Sequence, residues 1–81
     1  MKKLSRLIGG ALLEKGIKLA LAESCTGGLL SSVITDTPGS SAYFQGSVVA
    51  YANEVKVSEL GVKAATLKKH GAVSKETASE M

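Results

Sequence analysis

A chain of 81 residues with a formal net charge of +3, one cysteine (Cys25), one histidine (His70) and no tryptophan is long enough for one small domain, burying only about 60% of its unfolded surface. The single thiol excludes an intrachain disulfide and fits a reducing cytoplasm, and the single histidine argues against a zinc site or a Ser-His-Asp triad near the other motifs, so no metal or cofactor is expected. Lys2, Lys3 and Arg6 make too sparse a basic stripe, with too few aromatics, for a nucleic-acid partner, and no apolar run nears the roughly 20 residues of a membrane span.

In chain order, residues 2 to 15 carry Leu4, Leu7, Ile8, Ala11 and Leu12 at helical spacing, which predicts an amphipathic helix with that face toward the core. Arg6 and Glu14 interrupt this stretch and no small-residue cleavage site follows, so it does not read as a signal peptide. Gly9 and Gly10 weaken the helix, so packing must hold it, and Gly16 suits a left-handed stop. Ile17 to Ala22 reads as a short buried strand. A second helix with Leu29, Leu30, Val33 and Ile34 on one face ends at Thr37-Pro38-Gly39. Ala42 to Tyr51 reads as a second strand, with Gly46 and Ser47 suggesting a bulge or a close backbone approach. Asn53 is placed to cap a helix over Glu54 to Leu60, ended by Gly61. A short helix follows over Ala64 to His70, closed by Gly71, and Ser74 caps a last helix with Glu76 in its first turn. Alternation of this kind predicts an α/β layered domain, and two strands are too few to make a stable sheet alone.

Two segments carry chemistry. Ala22-Glu23-Ser24-Cys25-Thr26-Gly27-Gly28-Leu29 lies where a strand hands over to a helix, the place where open α/β sheets bind ligands. A helix start offers unpaired N–H groups, Gly27 and Gly28 let a ligand approach the backbone, and a Ser24 hydroxyl beside them suits nucleophilic acyl chemistry. The residues leave two other readings open: Ser24 or Thr26 as a plain N-cap, and Cys25 as the nucleophile. The second segment runs from Gly46 to Lys56. If the strands are neighbours, Tyr51, Asn53 and Lys56 approach Ser24, and Lys56 can act as base directly or through the Tyr51 hydroxyl. The alternative there is half-buried packing for Tyr51, a cap for Asn53 and a solvated charge for Lys56. His70 reads as a last-turn histidine that suits the helix dipole.

Taken together and in this order, Ala22–Gly28, then Pro38–Gly46, Val48–Asn53 and Lys56, then Leu60-Gly61-Val62 and His70–Ser74 resemble the CinA C-terminal domain family of nicotinamide mononucleotide deamidases. The resemblance covers essentially the whole chain, which then reads, over residues 1–81, as the N-terminal half of a single domain. It implies a three-layer α/β/α sandwich, represented here by an incomplete part, and a small-molecule nucleotide substrate. The implied reaction is hydrolysis of the carboxamide of nicotinamide mononucleotide to nicotinate mononucleotide and ammonia. It also implies that Ser24 is the nucleophile, that Tyr51 and Lys56 assist it, and that Thr26, Gly27, Gly28 and Asn53 contact substrate.

The sequence departs from the family pattern in three ways. Ser47 stands where a second glycine is usual, with a narrower pocket as the expected consequence, and Ala52 stands where serine is common. A later glycine-rich, Thr-Gly-Ile-Ala-Gly-Pro-like loop is missing from the 81 residues. The competing expectations are a non-catalytic nucleotide-binding or regulatory domain, and an inactive truncated fragment. An incomplete core also makes a homo-oligomer plausible.

Overall fold

The computed structural model describes Lys2–Met81, in the order α1 (Lys2–Lys15), β1 (Leu19–Glu23), α2 (Leu29–Thr35), a 3-10 turn (Ser40–Ala42), β2 (Phe44–Val49), α3 (Asn53–Leu60), α4 (Ala64–His70) and α5 (Lys75–Glu80). The α/β class is as expected: β1 and β2 pair in parallel, with α2 in the crossover between them. Leu19 pairs with Phe44, and Ala20 with Gly46, so Gln45 is the extra residue of a bulge. Gly46, at φ 145, takes up the resulting twist in a region closed to other residues. From there Leu21, Ala22 and Glu23 face Ser47, Val48 and Val49 in step, so both strands deliver their carboxyl ends to one edge.

Helix α1 forms where expected but packs on a different face. Ser5 and Gly9 are buried, whereas Leu4 is 56% and Leu7 63% exposed. The reason is close approach. Ser5 Oγ donates to the Val33 carbonyl (3.2 Å) and lies 3.0 Å from the Thr37 hydroxyl, which draws α1 against α2. One turn on, Gly9 meets the buried Tyr43 ring so tightly that a Cβ there would stand 2.7 Å from Tyr43 Cζ. The predicted stripe lies beside this small-residue strip: Leu4, Leu7, Ile8 and Ala11 are exposed, and Leu12 is half-buried.

Two helix starts are capped from a distance rather than by their own N-cap side chains. Glu23 serves α2, as detailed below. Glu80, in the last turn of α5, accepts from the Lys63 N–H (2.9 Å) and the Thr66 hydroxyl (2.7 Å) at the start of α4. By contrast α5 is capped locally as expected, the Thr77 N–H donating to Ser74 Oγ at 3.2 Å. Thr77 itself is fully buried and donates to the Gly71 carbonyl (2.7 Å), which fixes the Gly71–Ser74 bend.

Among the described residues the buried hydrophobic set is small: Ile34, Tyr43, Ala50 and Val62. The surface measures 5493 Å², against about 4,600 Å² for a compact monomer of this mass. The radius of gyration is 14.3 Å, against about 12 Å for a compact chain of this length. Among the described residues neither strand has a second neighbour, and Val48 and Val49 remain about 40% exposed. Among the described residues, no helix is long and apolar enough to cross a membrane.

Candidate functional site

The β1–α2 junction is organised by a residue that the sequence reading passed over. Glu23 is 4% exposed, and its carboxylate accepts four hydrogen bonds. They come from the Thr26 hydroxyl (2.7 Å), the Leu30 N–H (2.8 Å), the Ser31 N–H (3.0 Å) and the Ser31 hydroxyl. Those bonds, the Ser31 hydroxyl foremost, outweigh the cost of burial and hold the carboxyl down at about 2. An acidic residue ending a strand shortly before a helix start is the signal that marks it, because a carboxylate there can satisfy orphan N–H groups of the first turn.

This clamp changes the expected roles of its neighbours. Neither Ser24 nor Thr26 is the N-cap of α2. That position is Gly28, in the left-handed region at φ 103, and Gly27 has φ 63. A Cβ on Gly27 would meet nothing within 4 Å, so backbone direction and not side-chain clearance requires the glycine there. The Gly27 N–H is used, donating to the Ser24 carbonyl at 3.0 Å. The helix's own first N–H groups are also taken: Leu29 donates to the Thr26 carbonyl, and Leu30 and Ser31 to Glu23. The donors left without a partner among the described residues are the N–H groups of Ser24, Cys25, Thr26 and Gly28, in the loop itself. Ser24 is half-buried, and its Oγ has no hydrogen-bond partner among the described residues; Cys25 is exposed.

From β2 the chain brings its contribution alongside. The Ala50 N–H donates to the Glu23 carbonyl at 2.8 Å, continuing the ladder one step past the strand, so Ser24 and Tyr51 both follow strand ends at the same edge of the sheet. Tyr51 is 71% exposed, not half-buried packing, so its ring is free to face a ligand. Lys56 is 1% exposed, not a solvated charge. Its Nζ donates to the Tyr51 carbonyl (2.7 Å), and no carboxylate pairs with it among the described residues. Lys56 is held at its other end too: its own carbonyl accepts from the Val62 N–H (3.1 Å) after the left-handed turn at Gly61. Asn53 does not cap α3. It is the first helical residue and is exposed, and the cap position is Ala52, whose side chain has nothing to offer.

Opposite Ser24 stands a wall absent from the sequence reading. Glu23–Thr26 and Leu30 line one side of a largely apolar cleft of about 350 Å³, and Ala72, Val73, Ser74 and Ala78 line the other. Ser47 does not narrow this cleft. It pairs with Leu21 in mid-strand and lines a separate shallow groove with Gln45 and Gly46. His70 ends α4 and lies 3.7 Å from Glu76, outside the cleft lining.

Comparison with known proteins bears on the family and the fold. The model of the CinA C-terminal domain matches residues 1–81. A candidate competence-damage inducible protein of Halothermothrix orenii is 62% identical over 74 residues, which is 91% of this chain and 18% of that one. Among solved structures, the competence/damage inducible protein CihA of Agrobacterium tumefaciens gives a TM-score of 0.96 at 41% identity, covering 99% of this chain and 48% of that one. The competence damage-inducible protein A of Klebsiella pneumoniae gives 0.94 at 35% identity, covering 98% and 49%. The chain thus spans about half the length of these solved chains and under a fifth of the curated relative.

Proposed function

Because the chain belongs to the CinA C-terminal domain family, we propose that it supplies the N-terminal half of a single amidohydrolase domain acting on nicotinamide mononucleotide. The observation that carries this reading is the shared carboxyl edge of two parallel strands, from which a half-buried, unbonded Ser24 hydroxyl opens into an apolar cleft, while Tyr51 and the buried Lys56 follow the end of the neighbouring strand. In the proposed reaction Ser24 Oγ attacks the carboxamide carbon, and its proton passes toward Tyr51 and Lys56. The oxygen of the tetrahedral intermediate takes hydrogen bonds from the free loop N–H groups, those of Thr26 and Gly28 in particular. Return of that proton to the amide nitrogen lets collapse expel ammonia and leave an ester on Ser24, which water hydrolyses to release nicotinate mononucleotide. The apolar walls given by Leu30, Ala72, Val73 and Ala78 suit a flat heteroaromatic ring. Asn53, exposed at the start of α3, is free to contact substrate, whereas Gly27 acts by shaping the loop.

The test is ammonia release from nicotinamide mononucleotide by the full-length protein. Ser24→Ala is expected to lower kcat by at least about 10³-fold and Cys25→Ala to keep most of it; the reverse pattern assigns the chemistry to Cys25. The second reading, a non-catalytic nucleotide-binding or regulatory domain, draws support from one contact. Lys56 Nζ holds a backbone carbonyl rather than either hydroxyl. Binding of the nucleotide with no ammonia release would favour it.

A further inference from the structure

We infer that Glu23 is a positioning residue that sets the conformation of the Ser24–Gly28 loop, and so aims the Ser24 hydroxyl and the free loop N–H groups at a common point. The inference deepens the amidohydrolase reading and rests on it for its catalytic consequence. Four donors converge on one buried carboxylate: one from the loop (Thr26) and three from the first turn of α2 (one of Leu30, two of Ser31). The backbone of Glu23 is fixed on the other side by the ladder, its carbonyl accepting from the Ala50 N–H at 2.8 Å. One residue therefore ties the strand end, the loop and the helix start together, with Ser24 as its immediate neighbour. Because the carboxylate absorbs the helix's own N–H groups, the loop donors are the ones left to face a ligand. Displacement of a reacting group by about 1 Å can cost about 10²-fold in rate, and nothing else among the described residues bonds a side chain of this loop to the body of the domain.

Neither near neighbour of glutamate can replace it. Glutamine turns an NH₂ donor toward donors already present, and aspartate keeps the charge but is one methylene too short to reach both Leu30 and Ser31. The experiment compares Glu23→Gln, Glu23→Asp and Ser24→Ala with wild type in the full-length protein, well below the unfolding midpoint. Amide hydrogen exchange is read over residues 24–31, and kcat and KM by ammonia release from nicotinamide mononucleotide. Expected for both Glu23 variants is exchange at least about tenfold faster at the bonded amides of Gly27, Leu29, Leu30 and Ser31, with α5 unchanged. Their kcat should fall about 10²-fold, with KM within about threefold of wild type. Ser24→Ala is expected to lose turnover with its exchange unaltered. Unchanged exchange in Glu23→Gln overturns the inference, as does faster exchange with undiminished kcat. Wild-type protein that releases no ammonia overturns the amidohydrolase reading instead, and the exchange data alone then decide whether Glu23 sets the loop.

Discussion

Gly9 and Gly10 are adjacent in α1, yet the same substitution should act on them with opposite signs. Glycine to alanine inside a helix gains about 0.8–1 kcal/mol in intrinsic helix preference. At Gly10 a new methyl meets nothing within 4 Å, so Gly10→Ala should stabilise by about 0.5–1 kcal/mol. At Gly9 the methyl would stand 2.7 Å from Tyr43 Cζ, well inside contact distance. Overpacking of this kind costs about 1–3 kcal/mol, which cancels or exceeds the helix gain and separates the two variants by about 1–3 kcal/mol. The Tyr43 hydroxyl, buried without a partner among the described residues, sharpens the test. Tyr43→Phe removes an unsatisfied polar atom and should be neutral or stabilising by up to about 1 kcal/mol. In the Gly9→Ala background it should recover only part of the loss, because Cζ stays in place. Urea unfolding of the full-length protein as a double-mutant cycle measures all of these terms. Gly9→Ala as stabilising as Gly10→Ala, within about 0.3 kcal/mol, would refute the close packing of α1 on Tyr43.

Other outcomes follow from the site and its supports. Lys56→Met fills a similar volume, so urea unfolding should shift by less than about 1.5 kcal/mol, whereas ammonia release should fall at least about 10²-fold; undiminished turnover removes Lys56 from the chemistry. Ala52→Ser should supply the missing cap of α3, where the backbone already has cap geometry (φ −74, ψ 147), and raise stability by about 0.5–1 kcal/mol in the same assay. Glu23 is held down at about 2 and Glu80 below its ordinary value, the latter chiefly by the Thr66 hydroxyl. Both groups are therefore deprotonated in the folded state at pH values where the unfolded chain binds protons. Both contributions are full above the ordinary carboxylate range and are lost as pH falls below it, that of Glu23 between about 4.5 and about 2. Melting curves across that window should drop less steeply in Glu23→Gln; parallel curves would show that Glu23 is not the titrating support.

Local punctuation made much of the fold legible. The stops at Gly16, Gly61 and Gly71, the cap at Ser74 and the Thr37-Pro38-Gly39 break each depend on a residue and its immediate neighbours, and the helices end where those residues stand. The buried face of α1 was not legible, because periodicity finds leucines while the contact is made by residues small enough to let Tyr43 and α2 come close. The distant caps were hidden for a related reason. Glu80 reaches Lys63 across 17 positions, and Glu23 reaches Ser31 across eight, so neither shows the spacing of a capping box. In the candidate site, Ser24, Tyr51 and Lys56 were readable as residue types at strand ends. That Lys56 is buried and that Ser47 lies in another groove depend on how the parallel strands come together, which no local pattern encodes.

The carboxylate under the Ser24 loop also gives the cleft an electrical polarity. A helix start beside a glycine turn is the usual berth for a phosphate, but here an internal anion already occupies it, and a second negative group brought to the same place would meet repulsion. For a nucleotide carrying both a pyridinium amide ring and a negatively charged phosphate, this leaves one favourable way in. The ring leads toward Ser24 and the phosphate trails toward whatever positive surface lies farther out. The orientation of the substrate would then be settled on approach, by exclusion of its charged end, before any contact with the reactive hydroxyl is made.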